Sequence, residues 1–166
     1  MRTKQFAWIV GITGVAAMLL RVAYIQGKLL YNITYRFAQI RPLKITASEA
    51  VIAFNMYLRN ESAVGFTLRD IDVDVYTGDD IFIGSVKQKS VDSYTPPKGE
   101  GQAIPLVMTV KPNELKGKAM DAILGIARNR QIAVKYKGKI SVRSGLVGVR
   151  NLPFTYTYIP DATGTD

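Results

Sequence analysis

Asp70-Ile71-Asp72-Val73-Asp74-Val75 alternates charged and aliphatic residues without a break. At a period of two, Ile71, Val73 and Val75 share one face only if the segment is a strand with one buried and one wet side. The same period runs outward in both directions. Ile33 to Ile40 places Ile33, Tyr35 and Phe37 together, and Val51 to Leu58 does so with Ile52, Phe54, Met56 and Leu58. A Thr77-Gly78-Asp79-Asp80 turn leads into Ile81 to Val86, and Pro96-Pro97-Lys98-Gly99 with Gly101 marks a loop. Ile104, Leu106, Met108 and Val110 then share a face. Ile132, Val134, Tyr136, Ile140 and Val142 alternate with Lys135, Lys137, Lys139 and Arg143, and Phe154, Tyr156 and Tyr158 are in phase within Leu152 to Ile159. The phase slips between Leu68 and Ile71, which predicts a bulge. Only Pro112 to Ala127 breaks the rule. Leu115, Ala119, Ile123 and Ile126 have helical spacing, Asn113 is a candidate N-cap, and Arg128 to Arg130 complement the helix dipole. The reading is all-β: a seven-stranded immunoglobulin- or fibronectin-like sandwich with one inserted helix over 113–127.

A family resemblance rests on three runs: Ala53-Phe-Asn-Met-Tyr-Leu-Arg-Asn60-Glu61-Ser62, Phe66-Thr-Leu-Arg-Asp-Ile-Asp-Val-Asp-Val-Tyr76, and Ile83-Gly84. Together they resemble the late-embryogenesis-abundant group 2 family, also called the water stress and hypersensitive response (WHy) domain. Its members have a strand ending in an Asn-Pro-Asn-like turn, a strand with an alternating apolar face, and a hairpin into a strand carrying a hydrophobic residue followed by Gly. A helix before the last two strands is similar too. The likeness spans roughly residues 30–159. Asn60 is in place, and Glu61 stands where the family usually has Pro. The resemblance implies a sandwich that binds or protects membranes and proteins under stress, without catalysis, and several members carry an N-terminal membrane anchor.

The segment ahead of the strands is of another kind. Phe6 to Leu20 is uncharged, and Val22 to Ile25 continues it past Arg21. Residues 6–25 would span ~30 Å as a helix, the thickness of a bilayer core. Trp8 and Tyr24 sit near the two ends, where amphipathic rings prefer the headgroup level. Arg21 lies one turn from the far end, so its stem can snorkel to the interface. The predicted anchor is carried by Phe6, Trp8, Ile9, Val10, Leu19, Leu20, Arg21, Tyr24 and Ile25. A cleaved signal peptide and a helix docked inside a larger assembly are the competing readings. The division is therefore a basic leader and transmembrane helix over 1–27, a WHy-like sandwich over 28–160 and a polar tail over 161–166. Orientation stays open: a positive-inside count places the domain in the cytoplasm, whereas a short basic leader before one apolar stretch also fits an exported signal-anchor protein.

The chain has 166 residues, 22 Lys+Arg, 13 Asp+Glu, no His and no Cys. Lacking Cys, it has no disulfide framework, thiol nucleophile or thiolate metal site. Lacking His, it has no Ser-His-Asp triad and no imidazole ligand. These absences point away from an enzyme, and neither a cofactor nor a small-molecule substrate is expected. The net charge of +9 is concentrated early: residues 1–48 hold seven basic residues and no acidic one, and 122–160 is a second acid-free stretch. Positive charge beside an apolar segment suggests anionic lipid first. The candidate contacts for lipid or an acidic partner are Lys28, Arg36, Arg41, Lys44, Lys135, Lys137, Lys139 and Arg143. Nucleic acid is disfavoured because no aromatic ring interleaves with the lysine ridge; Tyr136 points inward with the apolar set.

Two rival readings of the charges compete with binding. Asp70, Asp72, Asp74, Asp79 and Asp80 resemble a calcium loop, but Val75 and Ile81 occupy the positions that need Gly and Glu. If the Asp70–Asp74 strand lies beside the Lys135–Lys139 strand, the two ridges form a cross-strand ladder of ion pairs instead. Gly145-Leu-Val-Gly148 lacks the spacing of a phosphate loop and reads as a hairpin tip, with apolar Leu146 and Val147 free to touch a membrane or a partner. Asn32-Ile-Thr34 and Asn60-Glu-Ser62 fit the glycosylation sequon. The expected function is a single-pass, membrane-anchored, non-catalytic module with a structural or interaction role, in a cell envelope or a virion membrane. Its partners would be the bilayer and other proteins or copies of itself. The alternative is a structural subunit of a large assembly, such as a virion or an envelope-spanning complex.

Overall fold

A computed structural model describes residues 32–115, 117–128, 132–145 and 147–159, together with 18, 20–22, 24 and 27. The strands are β1 (Ile33–Ile45), β2 (Ala50–Asn60), β3 (Phe66–Thr77), β4 (Phe82–Thr95), β5 (Gly99–Glu100), β6 (Ile104–Val110), β7 (Val134–Ser144) and β8 (Val147–Tyr158). Among the described residues there are thus eight strands rather than seven; the extra one, β5, is a two-residue bridge onto Arg59 and Asn60. Two antiparallel sheets result. In one, β2 lies between β1 on one side and β5 and β6 on the other; the second runs β4-β3-β7-β8. The alternating residues of both sheets point inward and form one core.

Aromatic rings join the two sheets through the core. Phe37 stacks on Tyr136 at 4.1 Å between centroids, and Tyr35 stacks on Phe154 at 4.6 Å. Phe54 and Tyr156 pack around this pair, so β1 and β2 of one sheet meet β7 and β8 of the other. Burial drives the Tyr35 hydroxyl pKa up to about 12 and raises that of Tyr136 as well. Gly138 makes room for this cluster: a Cβ there would collide with the Asp72 carbonyl oxygen and come within 3.0 Å of the Phe154 ring. Gly84 does the same on the opposite side, where a Cβ would sit 2.7 Å from Met108 Sδ as β4 passes β6.

The bulge expected near Leu68 is Arg69, and it belongs to a larger feature. Register slips between Leu68 and Asp70 against both β4 and β7, and again between Ile140 and Val142 against β8. Ser90, Asp92 and Asn151 adopt positive φ at those slips. The irregularities line up as a crease across the whole second sheet, bridged by the Arg69–Asp92 ion pair. Outer strands are protected in the same style. β1 carries Pro42 and the positive-φ Gln39, β6 carries Pro105, and β8 carries Pro153, each of which interrupts an edge that would otherwise pair with another chain.

The helical expectation needs correction. Instead of one helix over 113–127, a 3-10 turn at Pro112–Glu114 precedes α1 (Lys118–Ala127). Gly117, at φ 54° and ψ −129°, breaks the backbone between them and occupies the N-cap position, so Asn113 caps nothing. Ala119, Ala122, Ile123 and Ile126 bury the expected stripe, and Leu115 packs half-buried outside the helix. α1 covers the end of the sandwich where β1 ends and β7 begins, here termed the helix end.

The opposite, leading end is laced around Asn60. Its side chain is fully buried (0% exposed) and uses its full capacity. Nδ2 donates to the carbonyls of Val64 (2.9 Å) and Pro96 (3.0 Å), while Oδ1 accepts from the Ser62 N–H (2.9 Å) and hydroxyl (2.7 Å). With its amide so engaged, Asn60 is closed to glycosylation in the folded state. Asn60→Ala removes a donor from the half-buried Val64 and Pro96 carbonyls and leaves the buried Ser62 N–H unpaired, and should cost about 3 kcal/mol in denaturant unfolding. Asn60→Asp should be no milder, because it turns a carboxylate oxygen toward two carbonyls. Gly138→Ala should destabilise by roughly 3 kcal/mol, since the obstructing atoms are largely backbone.

Candidate functional site

The outer face of the β4-β3-β7-β8 sheet carries the two charged ridges. Pairing β3 with β7 places Asp72 opposite Lys139, Asp74 opposite Lys137 and Tyr76 opposite Lys135. On the other flank β4 places Lys87 opposite Asp72 and Lys89 opposite Asp70. A central row of aspartates thus lies between two rows of lysines, and the ion-pair ladder reading holds in part. Asp72 is approached by Lys87 at 3.4 Å and by Lys139 at 4.0 Å. Lys137 leaves its opposite number, crosses the Tyr76 ring at 5.0 Å, and meets Asp80 at 2.7 Å. Lys135 also binds Asp80, at 2.6 Å. These two hydrogen bonds, Lys135 first, pull the Asp80 carboxyl down to about 2. Asp79 pairs with Lys118 at the start of α1, which holds that ammonium above its usual range.

The carboxylates that sequence spacing groups together are distributed among lysines, and among the described residues no three of them converge on one point. A shallow trough of about 450 Å³ over Asp72, Asp74, Lys87, Lys137 and Lys139 is lined by both signs of charge, so it selects neither anion nor cation.

The other predicted contacts lie elsewhere. Arg36, Arg41 and Lys44 are exposed on the outer face of the β1-β2-β6 sheet, opposite Tyr57, Ala53 and Val51. Arg36 stacks over Tyr57 at 4.1 Å and pairs with Glu100 at 2.9 Å, and Lys44 pairs with Glu49 at 2.6 Å. This face and the lysine ridge are on opposite sides of the sandwich, so the predicted basic residues do not form one surface. Arg143 lies beyond the crease, its Nε donating to the Gly145 carbonyl. The tip between β7 and β8 is at the leading end; Leu146 lies outside the described residues, as does the Val147 side chain. Of the anchor residues, Leu20, Arg21 and Tyr24 are helical and exposed, while Phe6, Trp8, Ile9, Val10, Leu19 and Ile25, with Lys28, lie outside the described residues. Among the described residues no helix is long and apolar enough to cross a membrane.

Sequence reasoning missed Lys87 and Asp80 as members of the network. The signal was present for Lys87, whose alternation in β4 matches that of the aspartates, but its register was not. Asp80 reaches its lysines from a turn in which it adopts φ 63°, which no periodicity reports.

No protein-family model and no curated protein matches this sequence. Among solved structures the chain is similar to a protein from Archaeoglobus fulgidus, at 11% identity over 76% of this chain and 91% of that one, with a TM-score of 0.41. It is also similar to a protein from Arabidopsis thaliana, at 14% identity over 73% of each chain and a TM-score of 0.45. A third is a candidate late embryogenesis abundant (LEA) protein, at 9% identity over 95% of this chain and 90% of that one, with a TM-score of 0.35. At these values the likeness assigns neither a family nor an activity.

The Asp80 site has a pH signature. Its folded-state pKa is depressed from 3.8 to about 2, so its contribution is complete above the unfolded value and lost as pH falls through the folded one. NMR titration should place the carboxyl midpoint near 2. The stability difference between the natural chain and Asp80→Asn should be constant above pH ~4 and fade between there and pH ~2.

Proposed function

We infer that the chain is a membrane-anchored, non-catalytic β-sandwich of immunoglobulin- or fibronectin-like kind, with a WHy-like structural or interaction role at a bilayer. The observation that carries this reading is positional. The apolar run 6–25, with Trp8 and Tyr24 near its ends, stops seven residues before β1 starts at Ile33. A folded domain follows directly from a segment of bilayer length, with no room for another module between them. Self-neutralised charge on the second sheet supports a supporting or presenting role rather than chemistry.

A second reading, a subunit of a large assembly, is favoured by the outer face of the β1-β2-β6 sheet. There Val107 and Leu43 are about half exposed, beside Val51 and Pro105. Such a face suits another protein better than water.

Gentle extraction of the full chain from its source membrane, followed by light scattering and mass spectrometry, separates the two. The anchored module should resist alkaline extraction and run as a monomer in a detergent belt. A large particle of fixed stoichiometry would replace that reading with the second. Val15→Arg, at the middle of the apolar run, should add about 3 kcal/mol to membrane insertion and release the chain into the alkaline wash.

A further inference from the structure

We propose that the leading end of the sandwich is a second membrane contact, resting on anionic lipid headgroups through Tyr94, Lys98 and Arg143. This rests on the anchored reading above. Three loops form that end: 61–65 between β2 and β3, 96–98 between β4 and β5, and the β7–β8 tip. They are tied into one surface. Lys98 N–H donates to Ser62 O (3.0 Å), Asn60 reaches Pro96 O (3.0 Å), and the Ser144 hydroxyl donates to Gly65 O (2.7 Å). The incoming chain is held to the same place, because Glu61 N–H donates to Asn32 O at 2.8 Å.

Geometry limits where this surface can be. Seven residues, 26–32, connect the apolar run to β1, and even fully extended they reach ~25 Å. A strand of about 12 residues is itself ~40 Å long. The leading end is therefore tethered within ~25 Å of the apolar run, whereas the helix end, a strand length away, can lie farther off. This proximity turns small surface features into a contact, since the tether supplies a high local concentration of lipid.

The charges at this end differ from those beyond the crease. Each of its acids is taken by an arginine: Glu61 by Arg59, Glu100 by Arg36 and Asp92 by Arg69. Lys98 and Arg143 have no carboxylate partner among the described residues, and both are exposed. Lys98 is fixed by a backbone at φ 48° and by its bond to Ser62, so its side chain starts from a rigid turn. Tyr94, 58% exposed, lies over Gly65 beside Pro97 and shares its row across β3 with Thr67 and Arg143. An exposed aromatic ring with two uncompensated cations, on the side nearest the bilayer, has the chemistry of an interfacial contact.

The absence of cysteine makes the test direct, because each introduced thiol labels uniquely. The full chain is reconstituted into phosphatidylcholine vesicles with and without phosphatidylserine. A polarity-sensitive fluorophore is placed at Ala63→Cys in the leading loops, or at Ala47→Cys in the β1–β2 turn of the helix end. Quenching by headgroup-labelled lipid should be several-fold greater at 63 than at 47, and greater still with phosphatidylserine. Adding Lys98→Gln and Arg143→Gln, both exposed changes, should abolish the phosphatidylserine-dependent part. Equal quenching at the two sites in a chain that resists alkaline extraction overturns this inference alone. Release of the chain by alkaline extraction overturns the anchor, and this contact with it.

Discussion

Asn60 is the group on which the leading end depends. A primary amide has two donors and two acceptor sites, and at this position all four are met inside the protein. Because the side chain is fully buried, all of these bonds are made within the protein, so the network is strong in proportion to its completeness. Its partners belong to the loop after β2 and the loop after β4, which come from different sheets. One side chain therefore fixes the spacing of the sheets where the aromatic stack, nearer the middle, fixes their alignment. Ser144 on Gly65 extends the same control to the β7–β8 hairpin.

The second organising constraint is electrostatic. Three aspartates on one strand would repel each other, and lysines on both neighbouring strands would do likewise if left alone. Interleaving the rows converts both liabilities into weak mutual attraction. Exposed pairs of this kind contribute little individually, ~0–1 kcal/mol each, so their value lies in selecting register more than in stability. A slip of one residue would turn the aspartates into the core. The crease at Arg69 then separates this neutralised area from the leading end, where Lys98 and Arg143 have no carboxylate partner among the described residues.

Much of the fold was legible in the residues. The period-two pattern located seven strands, named most of the core, and put the bulge within two residues of Arg69. The helix was legible as a stripe but not in its start, because Gly117 interrupts it through backbone conformation, and apolar spacing does not register φ. β5 was invisible for another reason: two residues have no period. For the charged groups, the ladder was available only as a conditional, since it required knowing that β3 and β7 are neighbours despite some 60 intervening residues.

What the sequence by itself determined is whatever local chemistry dictates: the strand period, the apolar run at 6–25, the exclusion of thiol and imidazole chemistry, and the excess of positive charge. What only the tertiary structure decided is which charges face which. Lys135, Lys137 and Lys139 look like a free basic ridge in one dimension and are partners of Asp72 and Asp80 in three. Lys98 and Arg143, far apart along the chain, emerge as cations of one end without a carboxylate partner among the described residues. The physical reason is that hydrophobic periodicity is a property of each strand alone, whereas electrostatic compensation depends on distances between strands, and those are set by pairing, register and the loops that Asn60 ties together.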